Sequence, residues 1–289
     1  MNKKIWAGIT ILVISALWLS IFLSKSRKPL TVGRKLPAAE RIVSLSCTTE
    51  ILCALGAEDK IAAISGIDEE NPYYGLLKNK PAAGGGIRNV NLEMVLGFKP
   101  DLVFCWKGHA DILREKGLNV YSVGTYDVEG VMELILDVGR LAGRENGAEE
   151  IVADMRKREI KVKDKVEDIN NKPLVYFEAG TVGKSRGPGC LTHNLITAAG
   201  GINIAGEERV PFPLLSQEYI IDKNPDIIIV EEYGASPGEI KKRNGWQNIK
   251  AVKNNRVYRS YTYFTSYVPR CIEGMEQFAE WFYPEKEYR

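Results

Sequence analysis

Two stretches of the sequence, NLEMVLGFKPDLVFC at 91–105 and SQEYIIDKNPDIIIV at 216–230, share one pattern of residues. In each, a predicted helix begins at a small polar residue, and Glu is the third residue of the stretch. Two apolar residues follow the Glu after one intervening position. Pro-Asp comes seven residues after the Glu and begins an apolar run that predicts a strand. Self-similarity of this kind indicates a duplicated α/β unit, in which Glu93 and Glu218 occupy matching places.

The two glutamates have both a structural and a functional interpretation, and their spacing is compatible with either. Asn91 and Ser216 are residue types that cap helices, and a carboxylate in the first helical turn gains about 0.3–1 kcal/mol from the helix dipole. The duplication also predicts a pseudo-symmetric pair of surface carboxylates, one in each half of the chain.

On both sides of these stretches, short apolar runs alternate with helical patterns. Strands are predicted at 41–46, 60–65, 101–106, 120–123, 174–177, 226–230 and 256–258, and helices at 48–55, 191–199 and 271–282. Strands separated by helices predict βαβ units and therefore a mostly parallel sheet.

Residues 145–168 show a different pattern, a single narrow apolar stripe at helical spacing with charged residues almost everywhere else. A helix of this length spans roughly 36 Å. It is either a surface helix of one lobe or a rigid strut between two lobes, and its position in mid-chain favours the strut. The predicted division is an N-terminal α/β lobe at 41–143, an interlobe helix at 144–171 and a C-terminal α/β lobe at 172–289.

The N-terminus contains an uninterrupted stretch without charge, from Ile5 to Leu23, with lysines on both sides. Such a stretch spans roughly 28 Å as a helix, enough to cross the core of a bilayer. It ends without the small residues of a signal-peptide cleavage site, and no Cys follows closely enough to indicate a lipoprotein. We expect an uncleaved membrane anchor at 1–28, with a cleaved signal peptide as the alternative, followed by a linker at 29–40.

Composition excludes several classes of function. The formal net charge is only +2 and no basic stripe is concentrated on one segment, so a nucleic-acid partner is not expected. The five cysteines form no CxxC, and an odd count outside the cell leaves at least one free thiol. The two histidines, His109 and His193, are too few for a zinc or manganese site. A phosphate-binding glycine loop and a nucleophile elbow are also missing from the sequence, which argues against an enzyme.

Five segments, in this order along the chain, resemble the class III periplasmic binding proteins that serve importers of cobalamin, ferric siderophores and haem. They are RIVSLSCTTEILCALG (41–56), NLEMVLGFKPDLVFCW (91–106), AAGGINIAG (198–206), SQEYIIDKNPDIIIV (216–230) and VPRCIEGMEQFAEWFYPE (268–285). The resemblance implies an α/β fold of two Rossmann-like lobes joined by a single long helix, preceded by an N-terminal membrane-spanning or signal helix.

The resemblance also implies a function and a set of partners. A chain of this class is an extracytoplasmic solute-binding protein, at the cell surface or in the periplasm, which captures a ligand between its lobes and delivers it to an ABC importer. In the family, one Glu from each lobe docks on arginines of the permease, and Glu93 and Glu218 match those positions. The implied partners are the permease and, through it, the ATPase subunits. We expect a monomer without a cofactor of its own, whose transported ligand contains cobalt or iron.

Within the family, the chain looks most similar to the cobalamin-binding members. RVPFPLLSQE (209–218) and DLVFCWKG (101–108) resemble segments of those proteins, so Trp106 and Phe212 match aromatic residues of their cleft. Tyr263 and Phe264 fall on a matching aromatic loop. Flat rings suit the face of a corrin or an aromatic chelate, although each of the four residues has the alternative role of a core aromatic.

One departure from the cobalamin binders keeps other ligands open. The loop KSRGPG at 184–189 contains two cations where those proteins have a largely neutral loop. Cations suit an anionic ligand, and Arg186 is the predicted anion contact. A ferric siderophore, haem or a molybdate-type oxyanion is therefore the alternative ligand.

Three other classes of function are alternatives to a solute-binding protein of an importer. They are a metal chelatase or reductase-like enzyme on a related scaffold, a binding protein for bare metal ions, and a sensor or adhesion ectodomain that reuses the fold. The scarcity of histidine argues against the first two.

Overall fold

The computed structural model describes residues 37–85, 89–124 and 127–285. The predicted membrane segment at 1–28 and most of the linker at 29–40 lie outside these ranges. Within the described ranges, each helix is too short or too polar to cross a bilayer.

The described chain alternates strands with helices, as the sequence pattern predicts. The N-terminal lobe consists of β1 (Ile42–Leu45), α1 (Thr48–Ala54), β2 (Ile61–Ile64), α2 (Tyr74–Leu77), β3 (Gly84–Gly85), β4 (Asn89–Val90), α3 (Leu92–Gly97), β5 (Leu102–Trp106), α4 (Ala110–Arg114), β6 (Val120–Val123) and α5 (Val128–Ala142). A long helix, α6 (Glu145–Glu167), follows. The C-terminal lobe consists of β7 (Leu174–Glu178), α7 (Leu191–Ala198), β8 (Ile202–Asn203), α8 (Gln217–Lys223), β9 (Ile227–Glu231), α9 (Pro237–Lys241), α10 (Lys250–Lys253), β10 (Val257–Ser260) and α11 (Cys271–Phe282).

Each lobe contains a four-stranded parallel sheet, and the two sheets have the same strand order. The order is β2-β1-β5-β6 in the N-terminal lobe and β8-β7-β9-β10 in the C-terminal lobe. The central strands are apolar and buried on both faces, which is typical of a parallel sheet covered by helices. The predicted α/β fold with two Rossmann-like lobes is thereby confirmed, and the repeated sequence pattern corresponds to a repeated topology.

The Pro-Asp ends of the two repeated stretches make the same contacts in both lobes. Asp101 accepts hydrogen bonds from the backbone N–H groups of Glu40 at 2.8 Å and Arg41 at 3.1 Å, just before β1. Asp226 accepts one from the N–H of Leu174, the first residue of β7, at 2.9 Å. Each aspartate thus attaches the start of its own strand to the start of the neighbouring central strand.

The two lobes share one apolar core. Helices α5, α6, α7 and α11 pack against one another between the two sheets. Their buried side chains belong to a single cluster that also contains residues of β1 and β7; examples are Val131, Ile135, Met155, Leu195 and Phe278. The long helix therefore joins the lobes together with a layer of packed helices, and not as an isolated strut.

Two arginines of α6 that are two positions apart bind helices of different lobes. Arg156 donates to Glu129 of α5 at 2.9 Å, and Arg158 donates to Glu276 of α11 at 2.9 Å. Each guanidinium contacts both oxygens of its carboxylate, a geometry that fixes direction as well as distance. The hydrogen bond to Glu276 raises the pKa of Arg158, so this side chain stays charged.

Replacing Asp226 with alanine is expected to lower the free energy of unfolding by about 1–3 kcal/mol, because the N–H of Leu174 at the start of β7 loses its acceptor. Urea denaturation measures the change. Asp222→Ala, an exposed aspartate on α8, is the matched control and is expected to stay within about 0.5 kcal/mol of the wild type. Equal losses in the two variants would contradict the role given to Asp226.

Candidate functional site

A cleft of about 680 Å³ lies between the two lobes, where the carboxyl ends of strands from both sheets meet. Residues that follow β1 and β2, within 46–50 and 65–71, line it from the N-terminal lobe. From the C-terminal lobe, the cleft is lined by residues within 232–233, which follow β9. Residues within 259–270, from the end of β10 onward, complete this side. Ligand sites of open parallel sheets occur at this edge, so the cleft is the candidate binding site.

The turn between β1 and α1 is held by buried hydroxyl groups. The side-chain oxygens of Ser44 and Thr48 lie 2.8 Å apart, and Thr49 donates to Ser44 at 2.8 Å. A further hydrogen bond joins Ser46 to Thr48 at 3.0 Å. Buried polar groups that satisfy one another fix a local conformation, and this one directs Glu50 into the cleft.

One wall of the cleft is aromatic. The rings of Tyr261 and Tyr263 are stacked with centroids 5.2 Å apart and planes 8° apart. Phe264 packs edge-on against Tyr263 at 4.6 Å. Behind it, Gly274 lets α11 approach closely, since a Cβ at this position would lie 2.4 Å from the carbonyl oxygen of Phe264. Tyr261 and Tyr263 line the cleft, and Phe264 supports them.

The cleft has an excess of negative charge. Its lining includes four carboxylates and two guanidinium groups: Glu50, Asp68, Glu70, Glu232, Arg259 and Arg270. Asp68 also accepts a hydrogen bond from the hydroxyl of Tyr233, which belongs to the other lobe, at 3.5 Å. Burial and the charge of Asp68 both raise the pKa of Tyr233. Such a lining disfavours anionic ligands relative to neutral or cationic ones.

The other three predicted ligand residues lie outside the set that lines this cleft. Trp106, at the end of β5, is half-buried and packs edge-on against Tyr267 of the C-terminal lobe at 6.2 Å. Arg186 lies under the ring of Phe212, with its Cζ 5.3 Å from the centroid. Arg186 also forms an ion pair with Glu231 at 3.1 Å. The structure thus brings Arg186 and Phe212 together and gives Arg186 an internal carboxylate partner.

The loop that carries Arg186 is held in place from below. Tyr176 donates its hydroxyl proton to Glu178 at 3.0 Å and accepts the N–H of Gly183 at 3.0 Å. Glu178 is fully buried and binds Arg243 through both oxygens, at 2.6 and 2.7 Å. Burial, followed by the charge of Glu178, raises the pKa of Tyr176, so its hydroxyl remains a donor.

The duplicated glutamates are exposed at matching positions. Glu93 is the second residue of α3 and Glu218 the second residue of α8. The caps are those expected, because Asn91 accepts from the N–H of Met94 and Ser216 accepts from the N–H of Tyr219, both at 3.1 Å. A helix that leads directly into a parallel strand runs antiparallel to it, so we expect both first turns on the side of each sheet where the strands end.

The described residues contain no group of three or more His, Cys, Asp or Glu that is arranged to hold a metal ion. The ring nitrogen Nδ1 of His193 lies 3.1 Å from the side-chain amide of Asn203, and burial lowers the pKa of His193. All five cysteines, which lie within the described ranges, are free thiols.

Comparison with known proteins adds the family. The model of the periplasmic binding protein family matches residues 42–261, well over half of the chain. The chain belongs to the periplasmic binding protein family.

Individual members of the family are similar over most of their length. An uncharacterized ABC transporter substrate-binding lipoprotein of Bacillus subtilis is 30% identical over 264 residues, covering 85% of this chain and 81% of that protein. A vitamin B12-binding protein of Vibrio cholerae is 26% identical over 262 residues, covering 86% of this chain and 91% of that protein. The crystal structure of a periplasmic binding protein from Veillonella parvula has the same fold, with a TM-score of 0.75 at 24% identity, covering 86% of this chain and 93% of that one.

As a member of this family, the chain is a solute-binding protein of an ABC importer that works outside the cytoplasm. Its partners are a permease and a small-molecule ligand. The family is one of substrate-binding proteins, which carry their solutes and do not transform them.

Sequence reasoning missed several residues of the cleft in this binding protein. Tyr261 has a visible signal, since it stands two positions before Tyr263 in the same aromatic segment. Glu50 has a weaker one, the polar run that follows β1 at the carboxyl edge of the sheet. Arg270 opens the C-terminal helix and has no local signal, because its partner lies in the other lobe.

Tyr176→Phe is expected to loosen the loop at 181–187, because the N–H of Gly183 loses its acceptor. Hydrogen exchange of amides in this loop should accelerate about tenfold, which corresponds to roughly 1–1.5 kcal/mol. Tyr219→Phe is the matched control, since it removes one tyrosine hydrogen bond elsewhere, to the carbonyl of Ile204. Unchanged exchange in the loop of the Tyr176 variant would contradict the prediction.

Proposed function

We propose that this binding protein captures a corrinoid of the cobalamin class in the interlobe cleft and docks on its permease through Glu93 and Glu218. The observation that carries the ligand proposal is the cleft itself, with an excess of carboxylates and a wall of parallel tyrosine rings. Flat apolar ring faces suit the face of a corrin, and the charge balance favours a neutral or cationic chelate. The similarity to a vitamin B12-binding protein points the same way.

The two cations of the loop at 184–189 favoured an anionic ligand, but the contacts of Arg186 weaken that case. Arg186, the predicted anion contact, is already paired with Glu231 at 3.1 Å and covered by the ring of Phe212. An anionic ferric siderophore, haem or an oxyanion would have to displace that carboxylate and would also meet the acidic lining of the cleft. Trp106, Phe212 and Phe264 remain proposed contacts to the outer parts of a large ligand.

The docking proposal rests on the two exposed glutamates at matching places. In the described structure neither Glu93 nor Glu218 pairs with another described side chain, and both are exposed. Two separated carboxylates received by arginines of a permease give charge-assisted, directional contacts. Two such points fix the orientation of a bilobed protein over a pore, with the cleft facing it. We further propose that residues 1–28 hold the protein at the membrane beside that permease.

A binding panel tests the ligand. Cobalamin and aqua-cobinamide are expected to bind more tightly than haem, an anionic ferric siderophore or molybdate, as measured by calorimetry or tryptophan quenching. Tyr261→Ala is expected to weaken corrinoid binding about 2- to 10-fold through loss of ring contact. Ile160→Ala, a similarly exposed residue on α6 away from the cleft, is expected to change nothing. Tight binding of molybdate or haem with no corrinoid binding would refute the ligand proposal.

The docking role is tested with Glu93→Ala combined with Glu218→Ala. Ligand affinity should stay near that of the wild type, because both residues lie outside the cleft lining, while transport by the reconstituted importer should collapse. Glu149→Ala with Glu167→Ala, two exposed glutamates of α6, is the control and should transport normally. Normal transport by the Glu93 and Glu218 double variant would refute the role.

A further inference from the structure

A bidentate ion pair joins the two lobes inside the cleft. Arg270 donates from Nε to one oxygen of Glu50 at 2.7 Å and from Nη2 to the other at 2.8 Å. The side chains are 20% and 10% exposed, so the pair is largely withdrawn from water. Glu50 belongs to α1 of the N-terminal lobe, and Arg270 directly precedes α11 of the C-terminal lobe.

Both partners are positioned by further contacts. Asn71 donates to Glu50 at 3.3 Å. The Cζ of Arg270 lies 3.9 Å from the centroid of the Tyr263 ring, so the face of the guanidinium covers one of the aromatic residues of the cleft. Arg270 therefore uses one edge for the carboxylate and one face for the ring. Burial alone would lower the pKa of Arg270, but the hydrogen bond and charge of Glu50 raise it above its ordinary value.

The remaining cation of the cleft lining is placed differently. Arg259 is exposed and donates to the backbone carbonyl of Glu232. Arg270 is thus the cation that lies deep in the cleft, and Glu50 neutralises it. Planar guanidinium groups are the usual binding partners of carboxylates on ligands, and Glu50 occupies that binding edge.

We infer that Glu50 is a specificity-determining residue that withholds Arg270 from the ligand and thereby excludes anionic chelates from the cleft. The inference rests on the proposed function as a metal-chelate binder, but it concerns the charge that the cleft selects and not the identity of the chelate. Without the carboxylate of Glu50, the partly buried guanidinium of Arg270, which lies over the Tyr263 ring, would bind a carboxylate or phenolate of the ligand instead.

Glu50→Gln tests this inference because it removes one charge and keeps the shape of the side chain. The probes are two corrinoids with the same ring, aqua-cobinamide, which is a cation, and aqua-cobyrinic acid, in which carboxylates replace the amide side chains. The ratio of anionic to cationic affinity, measured by calorimetry, is expected to rise at least about tenfold over the wild type, as a charge-assisted hydrogen bond becomes available.

Two further variants separate release of Arg270 from a general change of charge. Glu70→Gln removes the same charge from an exposed position of the same cleft without freeing Arg270, and the ratio should change less than about threefold. Glu50→Gln combined with Arg270→Gln should lose the gain. Circular dichroism and thermal unfolding confirm that each variant is folded before its affinities are compared.

The possible outcomes separate a failure of this inference from a failure of the corrinoid proposal. If neither corrinoid binds the wild type, the corrinoid proposal is wrong, and the same variants are compared on ferrioxamine B, a cation, and ferric citrate, an anion. An unchanged affinity ratio in Glu50→Gln on the pair that binds overturns the inference, as does an equal change in Glu70→Gln. Failure of Glu50→Gln to bind any of the anionic probes overturns it as well.

Discussion

In both lobes, an aspartate at the start of one central strand accepts backbone hydrogen bonds from the start of the neighbouring central strand. Asp101 binds the N–H groups before β1, and Asp226 binds the first N–H of β7. Because a slip of one residue would turn every side chain of a strand to the other face, these bonds help to fix the register of each central pair. Once the register is set, the strand ends reach the same edge, where the cleft lies.

Much of the fold could be predicted from local signals. The strands contain nearly continuous apolar runs because both faces are covered, and the caps at Asn91 and Ser216 are readable from residue type. The matching of the halves was visible because the same residues recur at the same spacing in both. The layer of helices between the sheets could not be predicted in the same way, because it depends on which apolar faces meet in space.

The site was less predictable than the fold, and the reason is sequence distance. Glu50 and Arg270 are 220 positions apart, and each alone has the pattern of an ordinary surface charge. The sequence shows that Arg186 is a cation but not that Glu231, 45 positions away, accepts its hydrogen bond. The net charge of +2 likewise conceals a cleft with more carboxylates than guanidinium groups. The net charge describes the whole protein, whereas a bound ligand interacts mainly with the charges that line its own site.

The apolar core that passes between the lobes limits how the molecule exchanges its cargo. Wide separation of the lobes would pull apart helices that pack across the joint, at a cost of about 2.5 kcal/mol for each 100 Å² of apolar surface exposed to water. Thermal fluctuations alone supply only a small part of this free energy. We therefore expect only small movements of one lobe against the other, so that a solute enters and leaves through the open side of the cleft.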